Sequence, residues 1–214
     1  MRIAICADDT QKNEILSKGI NEDIEIIWLN NLRDNINADV CFDLLFTETD
    51  VGKNNFISYT AVFANAVIIY ASELPSNYIR INAWNGFLKR EFIEIAAANE
   101  NVKEQAVSIL NTLGWKFIYA PDVPGMIAAR VISMIINEAY FALGDKISTK
   151  EQIDIAMKLG TNYPYGPFEW SKKIGLQKIF ALLKKLNEKE KRYDIAPLLR
   201  EEAMQGSEIH PFEI

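Results

Sequence analysis

The sequence predicts an α/β chain in which a shortened, doubly wound parallel sheet is followed by an all-helical C-terminal domain. Three observations carry that prediction. Short, near-continuously apolar runs alternate with helical segments over the first 120 residues, as strands buried on both faces of a parallel sheet do. The turn cluster Pro121-Asp122-Val123-Pro124-Gly125 then ends the alternation. Everything beyond it reads as helix. The domains expected are therefore 1–120 and 121–214.

Taken in order, Arg2 to Cys6 is a short β-rich run, and Asp9, read as an N-cap, opens with Thr10 a helix that Gly19 stops. Ile24 to Leu29 and Val40 to Phe46 are the second and third strands. A helical stretch around Ile57 to Ala64 leads into a strand at Ala66 to Ala71, and Tyr78 to Trp84 and Phe92 to Ala97 follow as further strands. A helix from about Val102 to Leu113 and a strand at Lys116 to Tyr119 complete the domain. In the second half, Met126 to Leu143 carries only Arg130 and Glu138 as charges, so its apolar residues surround the helix and require burial on several sides. Ser148-Thr149-Lys150-Glu151 starts the next helix, which runs through Leu159 with Gly160 as its stop. Gly160 to Glu169 reads as a structural connection. Gly175 to Leu186 and Ala196 to Met204 finish the bundle, and the charge run Lys184 to Arg192 is a solvated helix end.

Composition narrows the chemistry. The 214 residues are 49% hydrophobic, enough for a sizeable core, and carry a formal charge of -6 with a pI near 5.0. That sign is opposite to the footprint nucleic-acid binding requires, so no nucleic-acid partner is expected. The opening Met-Arg-Ile-Ala-Ile-Cys meets Asp8 and Asp9 at once, and no segment approaches the apolar length of a membrane span. A cytoplasmic chain without a membrane partner is expected. Cys6 and Cys41 suit buried reduced thiols, and with one histidine, His210, near the end of the sequence, no metal site is expected.

Three separated segments carry a resemblance. They are Asp122-Val123-Pro124-Gly125-Met126-Ile127-Ala128-Ala129-Arg130, then Ile153-Asp154-Ile155-Ala156-Met157-Lys158-Leu159-Gly160, then Tyr163-Pro164-Tyr165-Gly166-Pro167-Phe168-Glu169. In this order they resemble the C-terminal domain of the 3-hydroxyacyl-CoA dehydrogenases, and Tyr193 to Gly206, with Pro197-Leu198-Leu199 inside it, extends the likeness. A fainter trace runs through Ala38-Asp39-Val40, Ala71-Ser72 and Trp84-Asn85 to Glu94. The resemblance implies a Rossmann-like first domain and hydride transfer between NAD and the C3 carbon of an acyl-CoA. A histidine would move the hydroxyl proton and a glutamate would orient that histidine. It also implies a homodimer assembled through the C-terminal helices, for which Met126 to Leu143 offers the apolar surface.

Set against that chemistry, the chain departs at the decisive places. The Gly-x-Gly-x-x-Gly loop of the family is replaced by Cys6-Ala7-Asp8-Asp9-Thr10-Gln11, so no cofactor is expected unless this degenerate loop still binds NAD. Two carboxylates beside a pyrophosphate would each repel it by roughly 1 to 4 kcal/mol at contact range. Asn30, near the place of the ribose carboxylate, retains at most a neutral hydrogen bond. The family places a histidine three residues before an asparagine, with a glutamate nine residues after the asparagine. Asn82, Asn85 and Glu94 stand in those positions, and the amide of Asn82 takes up no proton near neutral pH. Ala129 occupies the position of another family asparagine. The expectation is a 3-hydroxyacyl-CoA dehydrogenase homologue of fatty acyl-CoA metabolism that has lost the conventional reaction. Its alternatives are an acyl-CoA-binding protein, a structural or regulatory dimer, and an altered enzyme using Glu94.

Overall fold

The protein was analysed as a computed structural model, which describes residues 1–29, 36–51 and 58–206. It divides into two compact units, Met1–Ile127 and Ala128–Ile214. The division falls after Ile127 rather than after Ala120 because the Pro121–Gly125 turn is bonded back to the first unit. The N–H of Gly125 donates to the Val67 carbonyl at 2.7 Å, and the buried Arg80 holds Asp122 at 2.6 Å. Asn30 and His210 lie outside the described residues.

The first unit is a seven-stranded sheet of β1 (Arg2–Cys6), β2 (Glu25–Leu29), β3 (Val40–Asp43), β4 (Ala61–Ala64), β5 (Tyr78–Ile81), β6 (Phe92–Ala97) and β7 (Lys116–Tyr119). Its order is β2-β1-β3-β4-β5-β6-β7. Every neighbouring pair is parallel except β5 and β6, whose short connection over 82–91 leaves no room for a crossover. Helices α1 (Asp9–Lys18) and α2 (Glu100–Leu113) share one core cluster with Ile3, Ile5, Phe42, Phe63, Ile79, Ile81, Ile93 and Ile95. The opposite face, with Ala4, Cys6, Cys41, Val62 and Ala64, is covered by Phe46, Tyr59, Ile69 and Leu74 from connecting segments.

Two expected elements are corrected. The strand expected at Ala66–Ala71 is a connection ending in a 3-10 turn at Ala71–Glu73. The fourth strand lies instead at Ala61–Ala64, inside the stretch expected to be helical. Both runs are apolar and similar in length, so local pattern does not separate them. Asn65 decides the matter: its amide donates to the Leu44 carbonyl and its Oδ1 accepts the Ala83 N–H, which turns the chain out of the sheet one residue past β4. Residues 66–71 are apolar because they cover the sheet face and supply carbonyls to Arg80. Strands three and five also stop sooner than expected, at Asp43 and Ile81.

The second unit contains α3 (Ala128–Gly144), α4 (Lys150–Thr161), α5 (Pro167–Ile174), α6 (Leu176–Asn187) and α7 (Pro197–Gln205). Thr149 caps α4 as its sequence suggests. The helix runs past Gly160 to Asn162, which adopts the left-handed conformation that ends helices. Helix α5 begins inside the Gly160–Glu169 stretch expected to be a structural connection. Pro167 occupies its first turn, and Asp154 of α4 accepts the N–H groups of Phe168 and Glu169 at 2.8 and 3.1 Å. No helix among the described residues is long and apolar enough to cross a membrane.

Candidate functional site

The site expected from the sequence lies at the carboxyl ends of the strands, where doubly wound sheets hold their ligands. There β1 runs into α1, and the N-cap of α1 is Asp8, not Asp9. Asp8 is the extended residue (φ -74°, ψ 169°), and its Oδ1 accepts the Gln11 N–H at 2.7 Å while its own N–H donates to Gln11 Oε1 at 3.0 Å. This reciprocal capping box settles the position, because only Asp8 has a Gln three residues later. Asp9 stands in the first turn. The same Gln11 is 1% exposed, and its Nε2 donates to the carbonyls of Leu44 and Ala83, both at 2.9 Å. One side chain thus ties α1 to the chain beyond β3 and beyond β5. The α1 N-terminus is thus self-capped at the Asp8 and Gln11 N–H groups and carries two acidic residues.

One turn further along α1, the buried Glu14 accepts the N–H groups of Gly86 and Leu88 at 2.6 and 3.1 Å. It holds the turn that follows Asn85, where Gly86 takes a positive φ of 102°. The N–H of Asn82 donates to the Glu94 carbonyl at 3.0 Å, continuing the antiparallel register Arg80↔Ala96 and Ile81↔Ile95. Residues 82 and 94 are therefore opposite one another, and directly opposed side chains share a face of the sheet. Glu94 is half-buried, and its Oε2 accepts the Ile127 N–H at 3.1 Å. Asn82 is 1% exposed. Its Oδ1 accepts a long bond from Trp84, while Asn82 Nδ2 and Asn85 Oδ1 are buried without a hydrogen-bond partner. The structure brings Asn82 and Glu94 together and sets Asn85 on the adjoining turn. No group of three or more His, Cys, Asp or Glu side chains able to hold a metal occurs among the described residues.

Sequence reasoning missed Arg80, which has no exposed surface and whose five donors are nearly all used. Its Nε donates to the Ala66 carbonyl, one terminal nitrogen to Asp122 at 2.6 Å, and the other to the carbonyls of Val67 and Val123. Burial pulls the guanidinium below its ordinary value, and Asp122 opposes that shift. The signal was present: an arginine inside the apolar run Tyr-Ile-Arg-Ile needs buried partners. Because Asp122 also accepts the Ala71 N–H, Arg80 locks the turn that carries Ile127 toward Glu94.

Comparison with known proteins identifies the second unit. Residues 125–207 match the family described as 3-hydroxyacyl-CoA dehydrogenase, C-terminal domain. Over those residues the chain carries the C-terminal domain of the 3-hydroxyacyl-CoA dehydrogenases. It is 40% identical over 118 residues to the 3-hydroxyadipyl-CoA dehydrogenase of Escherichia coli K12, a match covering 54% of this chain and 25% of that protein. To a 3-hydroxybutyryl-CoA dehydrogenase of Bradyrhizobium diazoefficiens it is 31% identical over 134 residues, covering 60% of this chain and 46% of the relative. The chain thus spans between a quarter and about half of these relatives' length. The (S)-3-hydroxybutyryl-CoA dehydrogenase from Ralstonia eutropha shares its fold, with a TM-score of 0.72 over 96% of this chain and 94% of that one at 16% identity.

Proposed function

We propose that this chain is a 3-hydroxyacyl-CoA dehydrogenase homologue that does not perform the NAD-dependent hydride transfer and instead binds an acyl-CoA ligand as a cytoplasmic homodimer. The observation that carries the reading is the Asp8–Gln11 capping box. It engages the N–H groups of Asp8 and Gln11 within the protein, and Asp8 and Asp9 supply repulsion in place of attraction at this helix end. The residues present do not fit NAD. At the neighbouring position Asn82 offers an amide where the reaction needs a group that gains and loses a proton.

Retention of an acyl-CoA ligand is supported by the buried, unpartnered amide atoms of Asn82 and Asn85, since a buried polar atom left unpaired costs about 1 to 3 kcal/mol. The dimer is supported by the second unit: Val131, Ile155 and Leu159 are exposed, and Ile135, Ala139, Ala142, Ile153, Met157 and Pro167, with Glu138 the one charged residue among them, line a mostly apolar hollow of about 280 Å³. Tryptophan fluorescence titrated with acetoacetyl-CoA tests the reading. A saturable change with the thioester and none with NADH is expected. A flat response to acetoacetyl-CoA would leave only the structural role.

A further inference from the structure

We propose that the second unit carries a binding site for the oxyanion of an organic acid or phosphate ester, in a shallow open hollow at the surface between α4 and α5. This site is independent of the reading of the first unit. Its walls are Lys158, Pro164, Tyr165, Glu169, Lys172 and Lys173, so three ammonium groups face one carboxylate. Lys158 and Glu169 neutralise each other at 2.5 Å. Glu169 also accepts the Gly166 N–H at 2.9 Å, and the Lys158 bond above all holds its carboxyl below the usual carboxylate range. That carboxylate is committed.

Two positive charges remain in excess. Lys172 reaches Glu151 and Glu169 only through longer-range charge, and Lys173 lies 5.5 Å from the Tyr165 ring centre. Lysines in a last helical turn complement the helix dipole, which accounts for basic residues at the ends of α4 and α5. It does not account for all three converging on one concavity of a chain whose net charge is -6. The hollow is shallow and open, with a lining more apolar than polar, and ammonium groups at such a surface bind phosphate and carboxylate as point charges. The apolar wall is fixed: Tyr165 packs edge-on to the buried Trp170, with ring centres 4.9 Å apart. A ligand with an apolar body against Pro164 and Tyr165 and an oxyanion at Lys172 and Lys173 matches these walls.

The test is NMR titration of the full chain at low ionic strength with hexanoate and with hexyl phosphate, which share a tail and differ in the oxyanion. Saturable amide shifts at Tyr165, Lys172 and Lys173 are expected, weakened by salt. The double variant Lys172→Gln, Lys173→Gln should weaken binding roughly tenfold or more, while Lys178→Gln on α6 and the charge-preserving Lys173→Arg leave it nearly unchanged. Response to only one probe supports the site and names its oxyanion, and response to both supports a general oxyanion site. No saturable shift with either probe, or shifts equal in the double variant and the parent chain, would overturn the proposal.

Discussion

Placing an imidazole opposite Glu94 measures how closely residues 82 and 94 approach. In Asn82→His the new ring would stand across the β5–β6 ladder from Glu94, since the Asn82 N–H already donates to the Glu94 carbonyl. Side chains directly opposed in an antiparallel pair have Cβ atoms about 5 Å apart. Unit charges at that distance in an effective dielectric of about 20 attract by about 3 kcal/mol, or about two pKa units, and the partial exposure of Glu94 reduces this to between about one and two. Burial at this site, where Asn82 is 1% exposed, pulls the ring the other way. The clean quantity is therefore the difference between Asn82→His and Asn82→His with Glu94→Gln, read as histidine titration by NMR. The single variant should titrate higher. To the extent that Glu94 raises its folded pKa, the imidazole contributes stability below its unfolded value of about 6.5 and loses it as pH rises through the folded value. Equal titration in both variants would show that the two side chains do not interact and would refute the alignment of the first domain.

Four further outcomes are expected. Arg80→Met removes a guanidinium bonded to Asp122 and to three carbonyls, and should destabilise the chain by about 3 to 5 kcal/mol in urea unfolding; a loss below about 1 kcal/mol would show the network to be dispensable. Gly166→Ala adds a Cβ that collides with the Asp154 carboxylate capping α5, and should cost about 2 to 3 kcal/mol. Gly160→Ala meets nothing within 4 Å and should be neutral or stabilising by up to about 1 kcal/mol, so equal effects at the two glycines would contradict this account. Ile135→Asp places a charge in the apolar hollow of α3, α4 and α5, and light scattering should report a dimer for the parent chain and monomer for the variant; a monomeric parent would refute the dimer.

Much of the fold was legible because its signals are local. The first and last strands, most of α2, and the helical second half follow from apolar pattern and from signals close by in sequence. The errors arose where distant partners decide. Asn65 ends β4 through the Leu44 carbonyl and the Ala83 N–H, and Gln11 donates to the carbonyls of the same two residues, 33 and 72 residues away. Helix α5 was hidden by Pro164, Gly166 and Pro167, which read as breakers unless a proline in the first turn is recognised as a start. The spacing of Asn82, Asn85 and Glu94 came from the family resemblance, and the strand register places its first and last members opposite each other.

The central claim is that the self-capped α1 N-terminus takes no dinucleotide, and calorimetric titration of the intact protein with NADH tests it most directly. The account predicts no measurable heat of binding at cofactor concentrations up to about 1 mM, where dehydrogenases with an open glycine loop are saturated. A micromolar dissociation constant, abolished by excess NAD, would contradict it and would mean that Asp8 and Gln11 release the helix end to receive the pyrophosphate.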